Sequence, residues 1–350
     1  MTIDALLTIL QERDGSDLHL LDGTPPKARI HGRLEFLEDA PTPTTPLVEP
    51  IMEERHRAGL EERGEVDLAY EVPGLARFRV NVFRHHHGLG AIFRTIPRRI
   101  PTVDQLLIPK QVEEFTRTRH GLVLITGPTG SGKSSTLAAL LNKINLEEKR
   151  HIITIEDPIE FRHNEVESTF TQREVGRDAE SFASALHSAA RQSPDLILVG
   201  EMRDQETIRM ALTLAEMGML VFSTLHTNNA ARTVDRIVEV FPEEQQPQVR
   251  SMLAGSLNGV LSQILCRRID EEGRIPATEL MFCNTAIRAV IREGAAHKIE
   301  SMLQAGRNEG MHRMDDSLFR LVTEGLIAGE EAYRKAGDKG RFQRFVGESL

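Results

Sequence analysis

The pattern of apolar and polar positions changes near residue 100. Before that point apolar residues come in short bursts. Ile3, Leu6, Leu7 and Leu10 keep helical spacing and predict a helix over 1–10. Ser16-Asp17-Leu18-His19-Leu20 alternates, as a half-buried strand does. Pro25, Pro26 and Gly32 punctuate two more short strands, around 28–30 and 34–36. The Pro- and Thr-rich run 40–46 predicts a loop leading to a helix near 47–57. Alternation returns over 66–70, 77–83 and 90–96 and reads as sheet. Together these predict a small α+β domain over 1–100, followed by a proline-bracketed linker at 97–101.

Beyond residue 100 the strands stop alternating. The segments 122–126, 151–156, 196–199 and 220–225 are short apolar runs separated by helical patterns. One of those helices, 204–217, carries Ile208, Ala211, Leu212 and Ala215 on one face and meets a stop at Gly218. Strands alternating with helices predict an α/β domain with a mainly parallel sheet covered on both faces. This core is expected over 101–285. From about Arg288 the pattern is purely helical, which predicts a C-terminal helical region over 286–350.

In such sheets ligands sit at the C-terminal strand ends. The candidate chemistry of this chain falls there. Gly127-Pro128-Thr129-Gly130-Ser131-Gly132-Lys133-Ser134 fits the P-loop pattern, between an apolar strand and a helix that opens with Ser135. Its glycines let successive backbone N–H groups turn toward a phosphate with no Cβ in the way. The helix that follows adds the positive end of its dipole. Lys133 is placed to reach the β- and γ-phosphates of ATP, and the Ser134 hydroxyl to hold Mg²⁺. A Gly-rich turn fitting by chance is the alternative, and the flanking strand and helix argue against it.

Composition narrows the function classes. The 350 residues suffice for two cores, and 40% hydrophobic with 27% charged residues is ordinary for a globular protein. A formal net charge of −9 argues against nucleic acid as the main partner. The two cysteines, Cys266 and Cys283, form no C-x-x-C motif. With no signal peptide evident, they point to a reducing cytoplasm. No apolar stretch has the length of a membrane span, so any membrane association is expected through a partner or a surface.

Hydrolysis needs more than a P-loop: a metal partner and a group that activates water. Two acidic segments follow strands. One is Ile155-Glu156-Asp157-Pro158-Ile159-Glu160; the other is Leu196-Ile197-Leu198-Val199-Gly200-Glu201. Ser223-Thr224-Leu225-His226-Thr227 ends a further strand. A single acid after a strand is usually a solvated loop charge. Three polar strand ends beside a P-loop reverse that reading. Glu156 and Asp157 stay open between chemistry and capping the turn at Pro158. His85-His86-His87 reads as a solvated turn before Gly88, since consecutive strand residues point to opposite faces.

The constellation resembles the secretion ATPase superfamily of type II secretion and type IV pili, and within it the twitching-motility, or pilus-retraction, PilT family. The resemblance covers almost the whole chain. Gly127 to Ser134 matches Walker A, 155–160 the Asp box, 194–204 Walker B and 224–227 the His box. Gln172-Arg173-Glu174-Val175-Gly176, Arg77-Phe78-Arg79 and the segment 16–20 also match. The resemblance implies an N-terminal PAS-like domain, a RecA-like ATPase core and a homo-hexameric ring. It implies that Glu160 is the general base, that Glu201 acts through Mg²⁺ and its waters, and that His226 contacts the γ-phosphate side. Arg77, Arg79 and Arg94 are implied as arginine fingers reaching a neighbouring subunit's nucleotide. The implied partner is an inner-membrane pilus platform protein, and the implied location is cytoplasmic, peripheral at the pilus base.

Departures from the family pattern are His187, Ser193, Thr171 and the Met217-Gly218-Met219 segment, none of which removes a phosphate or metal group. Pilus-extension and type II secretion ATPases carry a tetra-cysteine zinc motif and a longer N-terminal region, which this chain lacks. Ala286-Ile287-Arg288-Ala289-Val290-Ile291-Arg292-Glu293 resembles an element of the retraction enzymes, with Ala289 and Val290 replacing Asn and Leu. Ile287, Val290 and Ile291 are expected to pack inward, leaving Arg288 and Arg292 for a partner or a neighbouring ring element. The accessory retraction enzyme, PilU, is the nearest alternative. A nucleotide-binding scaffold is disfavoured by Glu160 and Glu201, and a nucleic-acid motor by the net acidity.

Overall fold

Alternation builds the N-terminal unit. In the computed structural model, which describes residues 2–30, 33–96, 99–270 and 273–346, six strands form one antiparallel sheet. They are β1 (Gly15–Leu21), β2 (Lys27–Ile30), β3 (Arg33–Phe36), β4 (Glu65–Val72), β5 (Ala76–His85) and β6 (Gly88–Ile96), in the order β3-β2-β1-β6-β5-β4. Along β5, Ala76, Phe78, Val80 and Val82 are buried, while Arg77, Arg79 and Asn81 take the other face. The buried face packs with the helix Ile3–Glu12, whose Ile3, Leu6, Leu7 and Leu10 all point into the same core. Gly15 follows that helix because a Cβ there would collide with Leu10.

Each strand expected in this half is present. The helix expected near 47–57 is not one helix. Pro50 has no N–H to continue it, and the chain forms Thr45–Val48, a 3₁₀ turn Glu49–Ile51 and a new helix Glu54–Arg63. That helix starts on a reciprocal cap between Glu53 and His56 and ends at Gly64, with φ +78°. Of the expected linker, residues 97 and 98 lie outside the described residues.

The second unit holds β7 (Gly121–Thr126), β8 (His151–Glu156), β9 (Thr169–Glu174), β10 (Leu196–Val199), β11 (Leu220–Leu225), β12 (Leu257–Arg267) and β13 (Arg274–Phe282). Their order is β13-β12-β7-β11-β10-β8-β9, parallel throughout except for the β12–β13 pair. Every residue of β7, β10 and β11 is buried, because helices cover both faces. Leu122 and Leu124 pack with the helices Gln205–Glu216, Ala230–Glu239 and Gln246–Ser256; Val123 and Ile125 pack with the helix Lys133–Glu147. The continuous apolar runs are thus two alternating faces superposed. The helices Met314–Thr323 and Gly329–Lys335 close a further core on Cys266, Ile275 and Ala277.

By contact, the chain divides into Met1–Arg99 with Pro158–Phe161, and Ile100–Asp157 with Arg162–Leu350. A four-residue excursion after β8 therefore groups with the N-terminal unit. Strands β9, β12 and β13 were not evident in the sequence pattern. β12 follows the helix Gln246–Ser256 with no loop between them and interrupts its apolar residues with Asn258, Gly259, Ser262 and Gln263.

Candidate active site

The phosphate loop leaves β7 and enters the helix Lys133–Glu147. Gly127, Gly130 and Gly132 all have positive φ, at +146°, +76° and +91°. These conformations favour glycine strongly. Gly132 is the residue before the helix and offers no side-chain cap to the first-turn N–H groups, which suits an anionic ligand there. Lys133 folds back on the loop, its Nζ donating to the carbonyls of Gly127 (2.8 Å) and Pro128 (3.1 Å).

The loop is braced from β12, by residues the motif did not reveal. Gln263 Nε2 donates to the Ser131 carbonyl at 2.6 Å, and its Oε1 accepts from the Thr136 hydroxyl at 3.0 Å. Thr126 and Ser262 share a 2.7 Å hydroxyl pair one step earlier. Gln263 and Ser262 are buried polar residues inside a strand. No local sequence signal marks them, because their partners lie far away along the chain.

Glu201 and His226 meet as the sheet register requires. β10 and β11 run parallel with Val199 beside Ser223. The ladder then continues past the strand ends through Met202 N–H to Thr224 O and Thr224 Oγ1 to Gly200 O. His226 Nε2 lies 3.0 Å from Glu201 Oε1, and Arg203 Nε lies 2.7 Å from the same oxygen. Burial alone would raise the Glu201 pKa, but the Arg203 hydrogen bond and the His226 and Arg203 charges outweigh it and hold the carboxyl below its usual value. Glu201 is therefore ionised at neutral pH.

Other expected residues fall in the N-terminal unit. Arg77 and Arg79 share one face of β5, and Arg79 lies directly opposite Arg94 of β6. Arg79 pairs with Glu160 at 3.6 Å and with Asp67 at 3.8 Å. Arg94 pairs with Asp17 at 2.8 Å. Burial works to raise the Asp17 pKa, but Ser16 and Arg94 overcome this and lower it. In the second unit, Glu156 accepts from the Thr154 hydroxyl at 2.7 Å.

Beside the phosphate loop lies a cleft of about 380 Å³, lined by residues 128–131 together with Asn228, Ile264, Leu265, Arg274, Met314 and Lys335. None of the last six was singled out from the sequence. The helix Thr285–Arg292 buries Ile287, Val290 and Ile291 as expected. Arg288 departs from the expectation. Its guanidinium donates to the carbonyls of Ala254 and Gly255, at 2.5 and 2.7 Å, and so ties down the end of the helix Gln246–Ser256. It is a helix-end cap within the fold rather than a side chain held out for a partner; Arg292 is exposed.

The family profile described as Type II/IV secretion system protein matches residues 73–343. The type IV pilus retraction ATPase PilT of Pseudomonas aeruginosa is 48% identical over 339 residues, 96% of this chain and 98% of its own. The chain belongs to the PilT family of secretion ATPases. The crystal structure of the pilus retraction motor PilT with bound ADP aligns with a TM-score of 0.89 at 44% identity, covering 98% of this chain and 99% of that one. The type IV pilus ATPase PilU of P. aeruginosa is 36% identical over 340 residues, 96% of this chain and 89% of its own. The PilT-family fold read from the motifs, a small N-terminal α+β domain before a P-loop α/β core with C-terminal helices, is the fold observed. No helix among the described residues is long and apolar enough to cross a membrane.

The brace yields a first prediction. Gln263→Ala leaves the Ser131 carbonyl and the Thr136 hydroxyl, both in buried residues, without their partner. It is expected to destabilise the second unit by about 1–3 kcal/mol, read as a lower urea midpoint with an unchanged slope. A midpoint equal to that of the unsubstituted protein would show that the loop keeps its shape without Gln263.

Proposed function

We propose that this chain hydrolyses Mg·ATP in a homo-hexameric ring and uses the energy to disassemble type IV pili. The observation that carries the reading is the phosphate loop itself: three positive-φ glycines, an uncapped helix start, and a lysine that donates to the carbonyls of Gly127 and Pro128. A phosphate oxygen is a stronger acceptor for that lysine than either carbonyl. The neighbouring cleft suits a nucleoside: Ile264, Leu265 and Met314 offer apolar contact for the base, while Asn228, Arg274 and Lys335 offer polar groups at its rim.

Ser134 and ionised Glu201 are hard oxygen donors of the kind Mg²⁺ takes, and they fit that ion. When bound, Mg²⁺ supplies neutralisation of phosphate charge and ordered waters. In this reading Glu160 accepts the proton of water as its oxygen attacks the γ-phosphorus. The bond from that phosphorus to the β–γ bridging oxygen breaks, leaving ADP and inorganic phosphate. His226, held on Glu201, orients toward the γ-phosphate side. Arg77, Arg79 and Arg94 serve the nucleotide of a neighbouring subunit. The pilus platform protein of the inner membrane is the partner, which gives a cytoplasmic, membrane-peripheral location. The higher identity to PilT than to PilU supports the main retraction enzyme over the accessory one.

Three measurements test this. Lys133→Ala is expected to fold and to lose ATP turnover, whereas Glu160→Gln is expected to bind Mg·ATP while turnover falls about 10²–10⁴-fold. A Glu160→Gln enzyme retaining more than about a tenth of the rate would move the base to another group. For action between subunits, Arg79→Ala and Lys133→Ala chains, each inactive alone, are mixed. Rings that combine an intact phosphate loop with a neighbour's intact Arg79 should recover part of the activity. Confirmed mixed rings with no recovery would remove Arg79 from that role. For direction, this gene is placed in cells whose own retraction gene is deleted. Restored twitching supports retraction; cells left bald rather than heavily piliated when the gene is removed from its own host would overturn it.

A further inference from the structure

Two helices of the second unit begin on one buried carboxylate. Glu279 lies midway along β13 and is 6% exposed. Its Oε1 accepts the N–H of Ala230 at 2.8 Å, and its Oε2 accepts the N–H of Met314 at 3.3 Å. These are the first residues of the helices Ala230–Glu239 and Met314–Thr323. The first helix has a second cap, since Asn229 accepts from Arg232 N–H; the second has no side-chain cap at Arg313.

Packing alone does not call for a carboxylate here. Burying a charge is costly unless it is compensated, and an apolar residue would fill the same space. What the two N–H groups share is their position. Asn228, two residues before Ala230, and Met314 itself both line the cleft beside the phosphate loop. Across the sheet Glu279 stands opposite Ser262, whose hydroxyl meets Thr126 at the end of β7. Both walls of the cleft are thus referred through one side chain to the strand pair that braces the loop.

We propose that Glu279 is a positioning residue for the nucleoside, holding the starts of two helices on one carboxylate and so fixing the separation of Asn228 and Met314. The proposal rests on the nucleotide reading given above. Lys133 donates to carbonyls of the phosphate loop itself, so the effect of Glu279 is expected to fall on the base and ribose more than on the phosphates.

The clamp is also sensitive to pH. Burial pushes the Glu279 pKa up to about 7; the N–H groups of Ala230 and Met314 oppose this, and Glu300 and Asp315 add to it. The residues it meets on the helix Ala230–Glu239 and on β12 are Ala230 and Ser262, both uncharged. His312, bonded to the Thr278 hydroxyl at 2.9 Å, has its own pKa lowered by burial. Below about pH 7 a protonated Glu279 is a weaker double acceptor, so nucleoside affinity falls as pH falls through that value.

The test uses the full-length chain and its Glu279→Gln and Glu279→Asp variants, with ADP and inorganic pyrophosphate as binding probes and steady-state ATP hydrolysis from pH 6 to 8.5. At pH 8 Glu279→Gln is expected to raise the KM for ATP and the Kd for ADP about tenfold, with kcat within about twofold and pyrophosphate affinity unchanged. The KM of the unsubstituted enzyme should fall as pH rises through about 7, and Glu279→Gln should abolish that dependence. Glu279→Asp keeps the charge but withdraws it by one methylene; it should raise KM while retaining the pH dependence, and it serves if the Gln variant does not fold. Equal losses of ADP and pyrophosphate affinity, or an unchanged KM in a folded variant, would overturn the proposal. An unsubstituted chain that bound pyrophosphate but not ADP would instead defeat the nucleotide reading, and this inference with it.

Discussion

Gln263 donates its side-chain amide to the Ser131 carbonyl and accepts the Thr136 hydroxyl, and the phosphate loop depends on that pair of bonds. A loop with three positive-φ glycines gives up chain freedom when it is ordered, since glycine loses more on folding than any other residue. Two buried hydrogen bonds return about 1–3 kcal/mol. β12 lies beside β7 and presents Gln263 at the height of the loop, where its two bonds help to hold one shape. Gly127 reflects the same closeness: a Cβ there would run into the Gln263 carbonyl.

The acid–histidine pair at the other strand ends has a similar origin. Glu201 and His226 belong to adjacent parallel strands whose ladder continues beyond the formal strand limits. Their separation is set by backbone register rather than by mobile connections. Arg203 shares the Glu201 oxygen with His226, so the carboxylate stays charged although it is partly buried.

The phosphate loop was legible because its geometry is dictated by neighbours in sequence: glycines, lysine and serine at fixed offsets, flanked by a strand and a helix. The strands β1, β5 and β6 were legible through alternation, and β7, β8, β10 and β11 through short apolar runs. The misses share a cause. Gln263, Ser262 and Glu279 are polar residues within strands, and what makes them favourable is a partner brought close by the fold, not by the chain. β12 escaped notice because those residues and Gly259 break its apolar pattern. Arg288 was misread for the same reason. Its spacing placed it on an outward helix face, but the carbonyls of Ala254 and Gly255 lie there to receive it. The helix near 47–57 is a different case: Pro50 lacks the N–H that a continuous helix needs, a purely local signal that splits it.

The bond between Gln263 and Ser131 spans 132 positions of sequence, and this orders events on the ribosome. Most of the N-terminal unit lies within residues 1–99, so it can collapse while the rest is still being made. The phosphate loop cannot. When residues 127–132 emerge, β11 and β12, the two strands that flank β7, have yet to be synthesised, and so has the glutamine that sets the loop. During that interval the most recognisable motif in the chain is a flexible glycine-rich tether with no defined pocket. A truncated product that ends before β12 lacks both the strand and the glutamine that brace the loop.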